Sequence, residues 1–192
     1  MGSGLNGVPR TSPQRVNQFA LVIYINDPLA KFLDDLRLEL VKGCRPRAHM
    51  TVLPPRPLPA VEPALAQAEQ QLAAFAPFEI EIHDIEVFPR TNVIYLGVSH
   101  GDATLREIHA AMNTGALAYN EPFDYHPHIT LAQDFDAAEL PRLEALAREC
   151  WHNWRGPRTF PAERVAFVQN TESNNWVDLA EFSLGTAVPH RA

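Results

Sequence analysis

The sequence contains few cysteines and no excess of positive charge, and each shortage excludes a class of protein. Its two cysteines, Cys44 and Cys150, lie far apart and form no CxxC motif, so neither a zinc knuckle nor a thiol redox motif is expected. Both are predicted to be reduced core residues. The formal net charge is −7, whereas long duplex nucleic acid is held by Lys and Arg side chains that neutralise many phosphates. A short or singly charged phosphate ligand is compatible with this charge, because it needs only a local cationic pocket.

Long apolar runs are also missing. No stretch approaches the roughly 20 residues that span a bilayer. The first 18 residues have neither the apolar core nor the charged leader of a signal peptide. We therefore expect a cytoplasmic protein with no membrane partner. The Gly, Ser and Pro content near the start predicts a disordered leader over residues 1–18, before a single domain over residues 19–184 and a C-terminal tail over residues 185–192.

Three common catalytic motifs are absent as well. The sequence has no Walker-type phosphate loop, no GxSxG elbow and no HExxH helix, which argues against a P-loop nucleotidase, a serine hydrolase and a zincin. Hydrophobic residues make up 46% of the 192 residues. That content suffices for one sizeable core or for two small lobes that share an interface.

The chain carries an internal repeat of structural elements. Alternating and β-branched runs predict strands over 19–26, 48–53, 78–88, 92–99, 128–132, 162–169 and 176–184, of which the last two form a hairpin. Apolar residues at helical spacing predict amphipathic helices after the first, second, fourth and fifth strands. Each half then runs strand, helix, short strand, helix, strand, which indicates a duplicated lobe. A shift in apolar parity near His83 predicts a β-bulge in the third strand.

The short strand of each half carries the same pattern, His-x-Thr followed by an aliphatic residue. The first copy is His49 and Thr51 in HMTV, and the second, 79 residues later, is His128 and Thr130 in HITL. Because side chains alternate along a strand, the His and Thr of a copy share one face, about 6–7 Å apart along the strand. Both can therefore touch one small oxyanion, and a twofold relation between the lobes would direct both pairs into one cleft.

These residue types suit acid–base chemistry on a phosphodiester. Histidine has an ordinary pKa of about 6.5, so one histidine can deprotonate an attacking water while another protonates the departing oxygen. Threonine hydroxyls can donate to phosphate oxygens without adding a titrating group. This scheme needs no metal and no other cofactor. Arg45, Arg47 and Arg56 surround the first motif, and an arginine that reaches the cleft could stabilise the charge of the transition state.

The two motifs, on strands of a duplicated frame, resemble those of the 2H phosphoesterase superfamily, and within it the 2′-5′ RNA ligase-like proteins, also described as RNA 2′,3′-cyclic phosphodiesterases. The resemblance covers about residues 19–184. It implies an α+β bilobal fold with two antiparallel sheets lining a central cleft, helices outside and lobes related by a pseudo-twofold axis. It also implies metal-independent hydrolysis of a 2′,3′-cyclic phosphate to a 2′-phosphomonoester. His49 resembles the proton donor, His128 the proton acceptor, and Thr51 and Thr130 the phosphate-binding residues.

The sequence is compatible with several substrates. An RNA end and a small cyclic-phosphate nucleotide are both candidate partners, and other family members act on cyclic ADP-ribose phosphates or 2′-5′ oligonucleotides. The reverse reaction, 2′-5′ RNA ligation, would use the same two histidines. Some relatives carry a basic residue soon after the second motif, where this chain has Gln133. A non-catalytic protein that binds RNA ends or nucleotides is the alternative from a different class, and we expect a monomer.

Residues around the motifs receive plainer interpretations. His126 and His128 form an HxH pair that could bind a metal, but no third ligand at motif spacing is visible, so a supporting or surface role is favoured for His126. Phe123 and Tyr125 could stack on a base or pack inside the protein. His109 is interpreted as partly buried packing beside the apolar face of its helix.

Two acidic residues of the first predicted helix also lie outside the predicted chemistry. Asp34 and Asp35 are interpreted as part of the outer, solvated face of that helix rather than as an acid–base pair.

Overall fold

The computed structural model describes residues 13–44 and 47–185 of the chain. The strands are β1 (Arg15–Tyr24), β2 (His49–Arg56), β3 (Phe78–Phe88), β4 (Val93–His100), β5 (His128–Ala132), β6 (Thr159–Ala162), β7 (Arg164–Thr171) and β8 (Trp176–Ser183). The helices are α1 (Leu29–Leu40), α2 (Val61–Leu72), α3 (Asp102–Met112) and α4 (Leu140–Asn153), with single 3₁₀ turns at Gly115–Leu117 and Ala137–Glu139. No helix within these described ranges is both long and apolar enough to cross a membrane.

The strands form two four-stranded antiparallel sheets. The first sheet has the order β2-β1-β7-β8 and the second has the order β5-β4-β3-β6. In both, the strand with the His-x-Thr motif lies at an edge, beside the first strand of its own half. The next position is taken by a strand from the other half, β7 in the first sheet and β3 in the second. The halves thus exchange a strand, and the predicted α+β duplicated fold is confirmed.

One hydrophobic core joins the two sheets and the helices. On the motif strands, Met50 is 0% exposed and Ile129 is 1% exposed, and both belong to this core. On α1, the buried residues recur at helical spacing: Leu29, Leu33, Leu36 and Leu40. Burying one such side chain contributes about 1.5–3 kcal/mol. The inward residues therefore fix the orientation of each motif strand and turn its His and Thr to the opposite face.

Two strands extend beyond their predicted limits. β1 begins at Arg15, because the residues before 19 pair with β7; the Gln169 side chain donates to the Val16 carbonyl at 3.0 Å. The predicted leader is therefore wrong for residues 15–18, while residues 1–12 and 186–192 lie outside the described part of the chain. β2 runs through two prolines to Arg56, which its edge position tolerates since proline lacks only a ladder donor.

The predicted bulge and hairpin are confirmed. The register of β3 against β4 shifts between Ile82 and Ile85, which pair with Val98 and Leu96. β7 and β8 form the predicted antiparallel pair. The sequence did not predict β6, because this strand has only four residues and contains Pro161.

Candidate active site

The two His-x-Thr pairs lie on the outward faces of the two edge strands. In the first sheet Tyr24 stands opposite His49, and in the second sheet Gly97 stands opposite His128. All four motif side chains are half-buried, and β2 contacts β5. Protonation of His128 would lower the pKa of His49. The structure therefore brings together the two motifs that the sequence predicted would share one site.

Each catalytic candidate is held through the same ring nitrogen. His49 Nδ1 lies 3.0 Å from the carbonyl oxygen of Arg47, and His128 Nδ1 lies 2.6 Å from the carbonyl oxygen of His126. A carbonyl can only accept, so Nδ1 donates in both contacts and carries the hydrogen of the neutral ring. Nε2 is then left to take or give a proton. Two identical backbone contacts thus prepare two identical proton-exchanging atoms.

Burial makes both rings weaker bases than an exposed histidine. Burial lowers the pKa of His49, the Arg47 carbonyl partly opposes this, and the charges of Arg37 and His128 lower the pKa further. The pKa of His128 is also lowered by burial, with the His126 carbonyl acting in the opposite direction. Both imidazoles are therefore neutral at pH 7. An anion bound between them would stabilise the protonated form of one ring.

The carbonyl that holds His49 belongs to a strained residue. Arg47 has φ +96°, a left-handed conformation that costs a non-glycine residue roughly 1–2 kcal/mol. Asp34 on α1 secures it, since its Oδ1 accepts the Arg47 backbone N–H at 2.6 Å. The interpretation of Asp34 as a solvated outer residue is therefore wrong. Its neighbour Asp35 does lie on the outer face, where it pairs with Lys31 at 2.7 Å.

The three arginines near the first motif differ in their position relative to the candidate site. Arg45 lies outside the described residues. Arg56 is 1% exposed and bonds to the Glu121 carboxylate in the protein interior, so it does not face the motifs. Arg47 lies beside His49, with its guanidinium carbon 3.3 Å from the centroid of the Tyr24 ring. Arg47 is therefore the described arginine that is placed at the candidate site.

Aromatic rings surround the second histidine. The rings of Phe88 and Tyr95 stack with centroids 4.1 Å apart, and the His128 ring is edge-on to both, at 5.1 and 5.3 Å. The Tyr95 hydroxyl donates to Glu86 at 2.9 Å, and burial together with this bond raises the pKa of Tyr95 to about 12. Glu86 occupies the space that a side chain on Gly97 would fill, 2.7 Å from the position of its missing Cβ. This wall is packed rather than open.

A buried polar network links the two motifs from behind. Arg56 bonds to Glu121, and Glu121 Oε1 lies 2.9 Å from His109 Nε2. The His109 ring stacks flat on Tyr125 at 4.1 Å, and the Tyr125 hydroxyl donates to the Thr51 carbonyl at 2.8 Å. The segment that leads into the second motif is therefore tied to the backbone of the first.

This network bears on two further interpretations. His109 is partly buried and packs as predicted, and it also contacts a carboxylate, with 13% of its side chain exposed. Of the two alternatives for Tyr125, its contacts favour packing inside the protein, because its ring stacks on His109 and its hydroxyl is bonded to Thr51. Phe123 differs from Tyr125, with 67% of its surface exposed.

The HxH pair does not gather further metal ligands. The rings of His126 and His128 have centroids 6.2 Å apart. Within residues 13–44 and 47–185, no three or more His, Cys, Asp or Glu side chains are arranged to hold a metal ion. The His126 ring is exposed and edge-on to Phe88 and Tyr95, while its carbonyl holds His128. The supporting role that the sequence favoured for His126 fits these contacts.

Sequence reasoning missed the residues that reach the site from elsewhere in the chain. Asp178 on β8 bonds to Arg47 from 131 residues away, and Asp34 does so from a helix. Neither residue lies in a local sequence pattern that predicts its contact with Arg47. Tyr24 and Gly97 lie on predicted strands, but no pairing of these strands with the motif strands was predicted.

Comparison with known proteins finds a matching family and several relatives. The model of the 2′-5′ RNA ligase superfamily matches residues 25–174. An RNA 2′,3′-cyclic phosphodiesterase of Aeropyrum pernix is 35% identical over 96 residues, which span 46% of this chain and 54% of that relative. A putative phosphoesterase of Halalkalibacterium halodurans is 21% identical over 177 residues, which span 87% of this chain and 97% of that relative.

Solved structures share the fold. LigT of E. coli in its apo form superposes with a TM-score of 0.58 and 18% identity, over 91% of this chain and 99% of LigT. The protein TT0787 of Thermus thermophilus superposes with a TM-score of 0.59 and 17% identity, over 88% of this chain and 98% of that protein. Both superpositions cover most of this chain and support the duplicated architecture described above.

Proposed function

We propose, given that the chain belongs to the 2′-5′ RNA ligase superfamily, that it is a metal-independent phosphodiesterase that hydrolyses a 2′,3′-cyclic phosphate to a 2′-phosphomonoester. The observation that carries the proposal is that both histidines are held by the same kind of backbone contact. Each donates from Nδ1 to the carbonyl two residues before it, and each therefore keeps Nε2 for proton exchange. The archaeal relative that is a cyclic phosphodiesterase supports the same chemistry.

The reaction needs two proton transfers and one displacement at phosphorus. The water oxygen bonds to phosphorus while the bond from phosphorus to O3′ breaks. Nε2 of His128 takes the proton of the water, and Nε2 of His49, as an imidazolium, gives its proton to O3′. After the reaction His128 is protonated and His49 is neutral. Proton transfer to and from solvent then restores the starting protonation states. Burial lowers both pKa values, and the negative charge of the bound phosphodiester stabilises the imidazolium that the first step requires.

Thr51 and Thr130 have the remaining task. Each shares a strand face with its histidine and is half-buried, so its hydroxyl can donate to a non-bridging phosphate oxygen. Donors that are already oriented stabilise the charge that develops on those oxygens in the transition state.

The test is a substrate panel with product identification in EDTA. It contains nucleoside 2′,3′-cyclic phosphates, RNA with a cyclic end, 2′-5′ oligoadenylate and a cyclic ADP-ribose phosphate. The proposal expects hydrolysis of a cyclic phosphate, with the 2′-phosphate rather than the 3′-phosphate as product. Ligand-induced thermal stabilisation without any product would instead identify a non-catalytic binder.

A variant of His126 distinguishes the metal-independent mechanism from a metal-dependent one. His126→Ala removes the second ring of the HxH pair but keeps the backbone carbonyl that holds His128. We expect this variant to retain most of the activity in EDTA. Activity that disappears in EDTA, returns with added metal and is abolished by His126→Ala would contradict the metal-independent mechanism.

A further inference from the structure

We propose that Arg47, held flat on the ring of Tyr24 by Asp178, is the surface on which the base of the substrate stacks. These three residues are called the arginine platform below. The inference rests on the proposed function, since it names the part of the substrate that lies beside the cyclic phosphate.

The platform is held by three mutual contacts. The Arg47 guanidinium carbon lies 3.3 Å from the centroid of the Tyr24 ring, the separation of a stacked pair. Asp178 accepts from Arg47 Nη1 at 2.7 Å with one carboxylate oxygen and from the Tyr24 hydroxyl at 2.6 Å with the other. Each group therefore fixes the other two, and the plane of the guanidinium is set before any ligand arrives.

The contacts favour a flat neutral group over a phosphate. Asp178 neutralises the charge of Arg47 and uses one of its donors, so a phosphate would have to displace a carboxylate. Tyr24 covers one face of the guanidinium, while 54% of the Arg47 side chain remains exposed. Unpaired bases stack on arginine planes as well as on aromatic rings. A nucleobase would therefore use the surface of Arg47 that is open to solvent.

The location suits the base of a cyclic nucleotide. Tyr24 is the register partner of His49, and their ring centroids are 6.5 Å apart. A phosphate at His49 and a base on Arg47 would thus be separated by a short gap for the ribose. The platform also has a firm foundation, because Tyr24 packs on a small buried cluster formed by Ala20, Val22, Ala166 and Val168.

Among the described residues, the stacked rings of the second sheet form no equivalent open surface beside its motif. Phe88 and Tyr95 stack on each other, and Tyr95 is 3% exposed. The rings of His126 and His128 contact both of them at steep interplanar angles. Rings that are already packed in this way support His128, whereas the arginine platform keeps an open side.

The experiment compares a substrate that has a base with one that lacks it. The pair is adenosine 2′,3′-cyclic phosphate and methyl ribofuranoside 2,3-cyclic phosphate, each tested for turnover. Binding of adenosine 2′-phosphate and of methyl ribofuranoside 2-phosphate is measured by calorimetry. The wild type is expected to prefer the adenosine compounds by about 5- to 150-fold, the range for one stacked base. Arg47→Lys keeps the positive charge and the backbone carbonyl but lacks the planar guanidinium. The ratio by which the adenosine compounds are preferred should therefore fall toward one.

Two further variants keep the result interpretable. Tyr24→Leu removes the ring beneath the guanidinium and should reduce the preference in the same way. Arg142→Lys makes the same substitution on an exposed arginine of α4 that pairs with Glu139, and should leave the preference unchanged.

Each outcome decides one question. A wild type that binds both ligands equally, or an Arg47→Lys variant that loses affinity equally for both, would overturn the platform; the second result would assign Arg47 to the phosphate. If the wild type hydrolyses neither substrate nor any cyclic phosphate of the panel above, the proposed function is wrong, and the binding preference still decides whether the platform exists.

Discussion

In the first sheet His49 faces Tyr24 across the strand pair, whereas in the second sheet His128 faces Gly97. Two residue pairs further along, on the same face, Val22 stands opposite Thr51, and Tyr95 stands opposite Thr130. The large aromatic residue thus lies beside the histidine in one half and beside the threonine in the other. The duplication preserved the strand frame and the Nδ1 contact while the side chains around them diverged.

The divergence separates the tasks of the two halves. The first sheet presents a polar, partly exposed cluster next to its histidine, in which Arg47 and Asp178 neutralise each other. The second sheet surrounds its histidine with stacked rings, and Glu86 fills the space left by Gly97. One half is therefore suited to contact the rest of the substrate, and the other is suited to hold a histidine rigidly. The following predictions test how far the halves remain equivalent.

The largest effect is expected at the histidines, where the halves should be equal. His49→Ala and His128→Ala should each lower kcat by about 10²–10⁴-fold, the range for loss of a general acid or base. The check is turnover of a nucleoside 2′,3′-cyclic phosphate. His83→Ala is the control, because that side chain is exposed on β3. A loss in one half only would show that a single histidine carries the chemistry.

The buried ion pair behind the motifs is expected to matter most for stability. Arg56→Met should lower the free energy of unfolding by about 3–5 kcal/mol, because Glu121 would remain buried without its cation. Urea denaturation measures this. Arg148→Met removes an arginine of α4 that is 50% exposed and pairs with Glu144, and this should cost less than about 1 kcal/mol. Equal costs for the two variants would mean that the network does not brace the halves.

Asp34 should distinguish the first motif from the second. Asp34→Ala removes the acceptor for the strained Arg47 N–H, and kcat should fall about tenfold, which corresponds to roughly 1.4 kcal/mol. Asp34→Asn keeps an acceptor oxygen and should restore most of this loss. Asp35→Ala, on the neighbouring exposed position, is the matched control. If Asn behaves like Ala, the charge of Asp34 acts on His49 and the backbone contact is secondary.

The smallest effect is expected at the bond between the halves. Tyr125→Phe removes the hydroxyl that donates to the Thr51 carbonyl, which should cost about 0.5–1.5 kcal/mol of stability and lower kcat a few-fold. Thermal denaturation and turnover measure these. Tyr119→Phe, on a ring that is 42% exposed, should change neither. An unchanged kcat would show that Thr51 does not need this contact.

Much of this arrangement could be predicted from local patterns. The alternation of Met50 and Ile129 with their polar neighbours determines which face the motif residues occupy, and the repeat of the motif marks both halves. The hairpin of β7 and β8 was also predictable, since its strands are adjacent in the sequence.

The contacts that could not be predicted join distant parts of the chain. The pairing of β1 with β7 depends on how the halves exchange strands, which no local window encodes. Asp178 reaches Arg47 only because β8 lies beside β7, and Tyr125 turns inward only because Thr51 and His109 meet it there. Such partners depend on the folded core rather than on spacing.

The most direct test of the central claim is the pH dependence of kcat/KM for the wild type and for the two histidine variants. The wild type should give a bell whose optimum lies below pH 6.5, because burial lowers both pKa values and the reaction needs one ring protonated and the other neutral. His49→Ala should lose the fall at high pH, since that limb reports the loss of the donor's proton. His128→Ala should lose the fall at low pH, which reports protonation of the acceptor. A complete wild-type bell in either variant would contradict the two-histidine mechanism.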